Sequence, residues 1–211
     1  MAGGAFAAGL LPAIPGTACR LFPADGEVDF MVRRHDRVIG GHRIRFARSA
    51  GRFTVRTDVE IEVGLFGAPV FRFTHHAEEV WRDGWLQAVV SDTDDDGRPY
   101  RVRAERRDGI FGGTVNGARF TVSGYIIPSS LWHHDTIAVE ALFDTIDARV
   151  KLVRAKLLGS EPVPVGGKPV TAKHYALFGE IERELWYASD CRLVRVAFLA
   201  RDGSEITLEP R

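Results

Sequence analysis

Four groups of residues have the types and spacing to do chemistry. His75-His76 lies three residues before Glu79, and His133-His134 stands directly before Asp135. An imidazole oriented by a carboxylate is the usual unit of general acid–base catalysis. Adjacent residues of a strand point to opposite faces, so only one His of each pair could join a common site. No HxxxH or HExxH spacing places two imidazoles on one helix face, so zinc hydrolysis has no motif here. Asp92-Thr-Asp94-Asp-Asp96-Gly97 begins like a calcium loop, but the twelfth place, where a bidentate Glu is needed, is Arg103. An Asp-Gly hairpin turn accounts for that run without an ion. Ser129-Ser130 lacks the Gly-x-Ser-x-Gly setting of a nucleophile elbow and reads as a helix cap. No cofactor or metal site is expected.

Around these residues the chain alternates. Phe53, Val55, Thr57, Val59, Ile61 and Val63 interleave with Arg52, Thr54, Arg56, Asp58, Glu60 and Glu62. A strict period of two gives one buried and one watered face, as in antiparallel sheets. So long a strand curves if it covers a core. From Val170 to Pro210 the pattern repeats. Ala172, His174, Ala176 and Phe178 share one face, as do Ile181, Leu185 and Tyr187, and then Val194, Val196, Phe198 and Ala200. Turns are expected at Ile39-Gly-Gly41, Asp83-Gly84, Asp92 to Gly97, Asp108-Gly109, Gly112-Gly113 and Asn116-Gly117. One helix is expected after Pro128, with Ile137, Ala138, Ala141 and Leu142 on its inner face. Arg149 to Leu158 reads as a strand and Gly159 to Pro169 as a loop. The fold class is all-β: a single curved antiparallel sheet, or open half-barrel, with one short helix or loop across the concave side.

The chain has 211 residues, with 28 basic and 28 acidic side chains. That balance argues against nucleic-acid binding, which usually needs a basic excess. Residues 2–18 carry no charge, are rich in Ala, Gly and Leu, and end in small residues. This is the apolar and cleavage portion of an export signal, short of the ~20 residues that span a membrane. It matches the second half of a twin-arginine leader whose Arg-Arg would lie upstream of Met1. We therefore expect residues 1–19 to be a truncated leader or loose apolar tail and 20–211 to be one domain, periplasmic and not integral to a membrane. The mature chain would begin near Cys19 or Arg20. Cys19 follows a loose lipoprotein box, Gly16-Thr-Ala18. Cys191 reads as a small core residue, and a Cys19–Cys191 disulfide would suit an oxidising compartment.

Five short blocks, in order, resemble a family of exported proteins from Gram-negative bacteria known as a domain of unknown function. They are Val38-Ile-Gly-Gly-His42, Glu79-Val-Trp81-Arg-Asp-Gly84, Ser91 to Gly97, Pro128-Ser-Ser-Leu-Trp132, and Gly179 to Tyr187 with the closing Arg201-Asp-Gly-Ser-Glu-Ile206. The tail is also similar to that of lipoprotein-carrier-like half-barrels. The resemblance implies a curved sheet and an envelope location, and transfers no catalytic residues.

A single curved sheet has a concave face that a short helix cannot fill, and such a face takes a ligand or a partner. The expected function is binding of an apolar or amphipathic ligand, an acyl chain or lipid. The lining residues would be Phe53, Val55, Val59, Ile61, Phe71, Phe73, Trp81, Trp132 and Phe198. Two alternatives stand beside it. One is an exported hydrolase or isomerase using His75 or His76 with Glu79 and His133 or His134. The other is an envelope scaffold presenting the Trp132 region to a partner protein.

Overall fold

The computed structural model describes residues 26–65 and 68–211. The expected leader and Cys19 lie outside the described residues. The first eight strands are β1 (Gly26–Arg34), β2 (Arg37–Ser49), β3 (Arg52–Leu65), β4 (Ala68–Arg82), β5 (Trp85–Asp95), β6 (Arg98–Arg107), β7 (Ile110–Val115) and β8 (Ala118–Val122). A crossing segment holds one 3-10 turn, His134–Ile137. Then follow β9 (Ala141–Phe143), β10 (Val150–Val165), β11 (Lys168–Gly179), β12 (Arg183–Ala188), β13 (Leu193–Leu199) and β14 (Glu205–Pro210). The described strands form one sheet in the order β8-β7-β6-β5-β4-β3-β2-β1-β14-β13-β12-β11-β10-β9, and each hydrogen-bonded pairing between them is antiparallel.

Sequence neighbours pair throughout, because most links are tight hairpins. Asp83-Gly84, Asp108-Gly109 and Asn116-Gly117 each place two successive residues at positive φ, 49 to 86°. That is the hairpin turn whose twist matches the right-handed twist of the flanking strands. We call the end carrying the β2–β3 and β4–β5 turns the lower end, and the end carrying the β3–β4 and β5–β6 turns the upper end.

The sheet curls until its two edges face each other, but the edges are not hydrogen-bonded into a closed barrel. Side chains bridge the seam instead. Phe143 of β9 meets Phe111 of β7 at 5.4 Å and Phe120 of β8 at 5.6 Å between ring centroids. The chain passes from β8 to β9 through the interior, burying Ile126, Ile127, Trp132, His133 and Thr136. Backbone bonds from Ser129 N–H to Phe143 O and from Phe143 N–H to Ile127 O, 2.8 and 2.9 Å, tie the crossing to β9.

Four local expectations are corrected. The helix after Pro128 is only the one-turn 3-10 segment, capped by His133, and Ala141 and Leu142 belong to β9. Pro128, in an isolated bridge with Phe143, keeps this stretch extended against the sheet. Gly40-Gly41 and Gly112-Gly113 are not turns but lie inside β2 and β7. A Cβ on Gly40 would sit 2.0 Å from Glu60 O, and one on Gly113 would sit 1.9 Å from Arg103 O. These glycines let neighbouring strands approach closely where the sheet bends. The loop expected from Gly159 to Pro169 is the continuing β10–β11 hairpin around Gly166-Gly167. Finally, Val194 does not share a face with Val196 and Phe198. A register shift between Trp186 and Tyr187 puts Val194 in a second cluster with Trp186, Ala188 and Ala197, on the face opposite Leu185 and Tyr187. A bulge of this kind reverses the alternation beyond it.

In the outer cluster, Trp186 lies against His174 at 4.0 Å and Arg195 at 4.8 Å. Cys191, at the turn before β13, is buried and disulfide-bonded. Among the described residues no helix is long and apolar enough to cross a membrane.

Candidate functional site

The concave face has two parts, both built mainly on β3 and β4. In the lower part, Glu79 and Trp81, two residues apart on β4, both point inward. Trp132, carried in by the crossing segment, meets them. Its ring lies 5.6 Å from Phe46, 5.8 Å from Phe53 and 5.6 Å from Trp81. Glu79 is fully buried, and its Oε2 accepts N–H bonds from Trp81 at 2.9 Å and Trp132 at 3.0 Å. Burial pushes the Glu79 carboxyl above the usual carboxylate range, with the hydrogen bonds from the two indoles pulling the other way. Among the described residues it has no ion-pair partner. A carboxyl held this way clamps the crossing segment to β4, since either protonation state can accept two indole N–H groups.

His133 stacks on Trp81 at 5.1 Å, 16° from parallel. Its Nδ1 accepts the Asp135 N–H at 3.1 Å, capping the 3-10 turn. Burial lowers it to about 4, so it is neutral at pH 7. His134 turns elsewhere, edge-on to Tyr187 at 5.1 Å.

The upper part begins at Thr57 on β3. His42, Val59, His75 and Thr93 face one another in register across β2, β3, β4 and β5. His75 is buried, with Nδ1 2.7 Å from Thr93 Oγ1 and Nε2 3.4 Å from Thr145 Oγ1. His42 lies edge-on to Phe30 at 6.0 Å. Desolvation, aided by neighbouring imidazoles, lowers both to about 4. Above this row come Ile61 opposite Phe73, and Val63 opposite Phe71. Phe71 and Phe73 continue the inner side of β4, are only half-buried, and stand outside the packed core.

The candidate acid–base groups do not converge. His75 and Glu79 share a face but stand four residues apart, roughly 13 Å along a strand. His76 points outward to Asp58 at 2.8 Å. Glu79 and His133 do meet the same two tryptophans, inside the core rather than in a cleft. Of the expected ligand-lining set, Phe53, Val55, Trp81 and Trp132 pack against the protein's own interior, between 0 and 4% exposed. Trp132 is therefore not on an outer surface that a scaffold could present. Val59 is buried, Ile61 and Phe198 pack partly on the core, and Phe71 and Phe73 are half-buried, Phe73 lying against His75 at 6.4 Å. The Asp92–Gly97 run is a hairpin turn in which Asp94 accepts the Gly97 N–H at 2.6 Å and Asp92 pairs with Arg103 at 2.9 Å. Among the described residues no three His, Cys, Asp or Glu side chains are grouped to hold a metal.

Sequence reasoning missed His42 and Thr57 as members of the upper site. The strand pattern already placed Thr57 on the inner face, and a polar residue on an apolar stripe was the signal.

A curled sheet of antiparallel strands, crossed internally by the chain, is a barrel-like architecture without a closing ladder. The chain belongs to the family described as Domain of unknown function (DUF6134), whose model matches residues 30–211. Its fold is similar to that of a β-barrel-like protein of Domain of Unknown Function DUF1849 from Brucella abortus. The two chains are 14% identical, the match covers 88% of this chain and 94% of that one, and the TM-score is 0.62. No curated protein matches the chain.

Proposed function

We propose that this protein binds an apolar or amphipathic ligand, an acyl chain or lipid, on the upper part of its concave face. The observation that supports this is the incomplete filling of that face by the described residues. Tryptophans and the crossing segment occupy the lower interior, whereas Phe71 and Phe73 face inward and are only half-buried. Large aromatics left in this state on an inner wall are a docking surface, because covering them is favourable by ~25 cal/mol per Å². Val63 and Ile61 continue the same wall.

The proposed setting is the periplasm, reached by the leader expected in residues 1–19. The disulfide at Cys191 is consistent with an oxidising compartment. N-terminal sequencing of protein from its native host tests export: a chain beginning near Cys19 supports it, and an intact Met1 on cytoplasmic protein overturns it.

Binding is tested with a fluorescent acyl probe on purified protein. Phe71→Ser with Phe73→Ser should weaken the probe at least tenfold while leaving the melting temperature close to that of the unaltered protein. Unchanged affinity in this double variant, or no probe binding to the parent, overturns the reading.

A further inference from the structure

Among the described residues, His42 Nε2 and Thr57 Oγ1 on the upper concave face are buried polar atoms without a hydrogen-bond partner. Thr57 is 3% exposed. The strand register brings the two together. His42 stands opposite Val59, and Thr57 is two residues away on the same face of β3, so the side chains are diagonal neighbours. Such diagonals are ~7–8 Å apart between backbones, within reach of one bridging group. Across Thr57 on β4 is Ala77, whose small side chain offers it no partner. His75, by contrast, is served by Thr93 and Thr145. Unpaired buried atoms occur elsewhere in the molecule too, Glu79 Oε1 and Arg195 Nε among them, but here two stand as diagonal neighbours on the wall below Phe73, and one bound group would satisfy both.

We propose that His42 and Thr57 receive the uncharged, hydroxyl-bearing head of an acyl ligand, inserted head first, with its chain running outward along Ile61, Phe73 and Phe71. This rests on the binding reading above and adds the ligand's chemistry to it. A hydroxyl both donates and accepts, so it satisfies a threonine hydroxyl and an imidazole nitrogen in either tautomer. An anionic head would find no such match. His42 and His75 are neutral at pH 7, being lowered to about 4. Asp95, on the inner side opposite Phe73, already takes the Arg201 guanidinium. A carboxylate or phosphate would enter a low-dielectric site beside a carboxylate that already engages the neighbouring guanidinium.

The experiment displaces a fluorescent acyl probe from the full chain with 1-monooleoylglycerol or with oleate at pH 7.5. Monooleoylglycerol should displace at least tenfold more effectively than oleate. Thr57→Val and His42→Phe should each weaken monooleoylglycerol about tenfold and leave oleate unchanged. Thr57→Val should melt no lower than the parent, which separates lost recognition from lost folding. Equal displacement by oleate overturns the proposal, as does unchanged monooleoylglycerol binding when Thr57→Val and His42→Phe are combined, which would mean that a water satisfies the two atoms. Failure of the probe itself to bind overturns the underlying binding reading as well, and is distinguishable because it precedes any comparison of heads.

Discussion

The lower and upper stretches of β3 and β4 share one alternation and do different work. Below Thr57, each inward residue is covered by something the chain supplies from elsewhere: Trp132 covers Phe53 and Trp81, and two indoles hold Glu79. Above Thr57, the same alternation continues through Val59, Ile61, Phe73 and Phe71, but the crossing segment no longer reaches across all of it. Among the described residues both parts hold buried polar atoms without a hydrogen-bond partner, Glu79 Oε1 below and His42 Nε2 and Thr57 Oγ1 above, but below the second oxygen of the same carboxyl is held by two indoles. In the function proposed above, an inner face serves stability where the chain closes over it and recognition where it does not.

The sharpest way to break that contrast is Trp132→Ala. It empties the centre of the lower cluster and should cost ~3–5 kcal/mol in denaturant unfolding. A loss below ~1 kcal/mol would mean that the crossing segment does not hold the lower interior together.

Glu79→Ala comes next. It strands two buried indole N–H groups at ~1–3 kcal/mol each, whereas Glu79→Gln keeps an acceptor and should cost about 1 kcal/mol or less. Equal losses in the two variants would show that the carboxyl does not clamp the tryptophans.

Acid titration separates the imidazoles from the carboxyl. Burial lowers His75 from 6.5 to about 4, so its contribution is present above 6.5 and disappears as pH falls toward 4. For so buried a group this amounts to as much as ~3 kcal/mol. Glu79 runs the other way: its raised value contributes stability at low pH that is lost as pH rises. Unfolding free energies between pH 7 and 4 should therefore fall with acidity, less steeply in His75→Gln and more steeply in Glu79→Gln. Parallel slopes in all three proteins would contradict these environments.

The smallest effect belongs to the outer face. Asp58 there is shared by Arg45 and His76. Exposed pairs contribute ~0.2–1 kcal/mol, so Asp58→Asn should shift stability by less than ~1 kcal/mol and by nothing measurable in high salt.

The alternation of β3, the Asp-Gly and Asn-Gly turns and the period-two tail were legible because each is local. Side-chain direction in a strand depends on parity alone, and a two-residue hairpin needs residues that tolerate positive φ. Those signals were enough to define an antiparallel, curved, all-β chain. The glycine pairs at Gly40-Gly41 and Gly112-Gly113 misled because a glycine that turns a chain and one that admits a neighbouring strand look alike in one dimension. Only the second strand, with Glu60 O or Arg103 O against it, tells them apart.

The site divides in the same way. Phe71, Phe73, His75, Glu79 and Trp81 could be assigned to one strand, and His75 and His76 to opposite faces, from spacing alone. What spacing could not contain was the path of residues 123–140 through the interior, which covers Trp81 and Phe53 and leaves Phe71 and Phe73 half-buried. That outcome depends on contacts between positions some fifty residues apart, such as Glu79 with Trp132. The sequence determines which residues face inward through the two-residue repeat of the backbone. The tertiary structure decides which of them are filled, because filling requires a partner from a distant part of the chain.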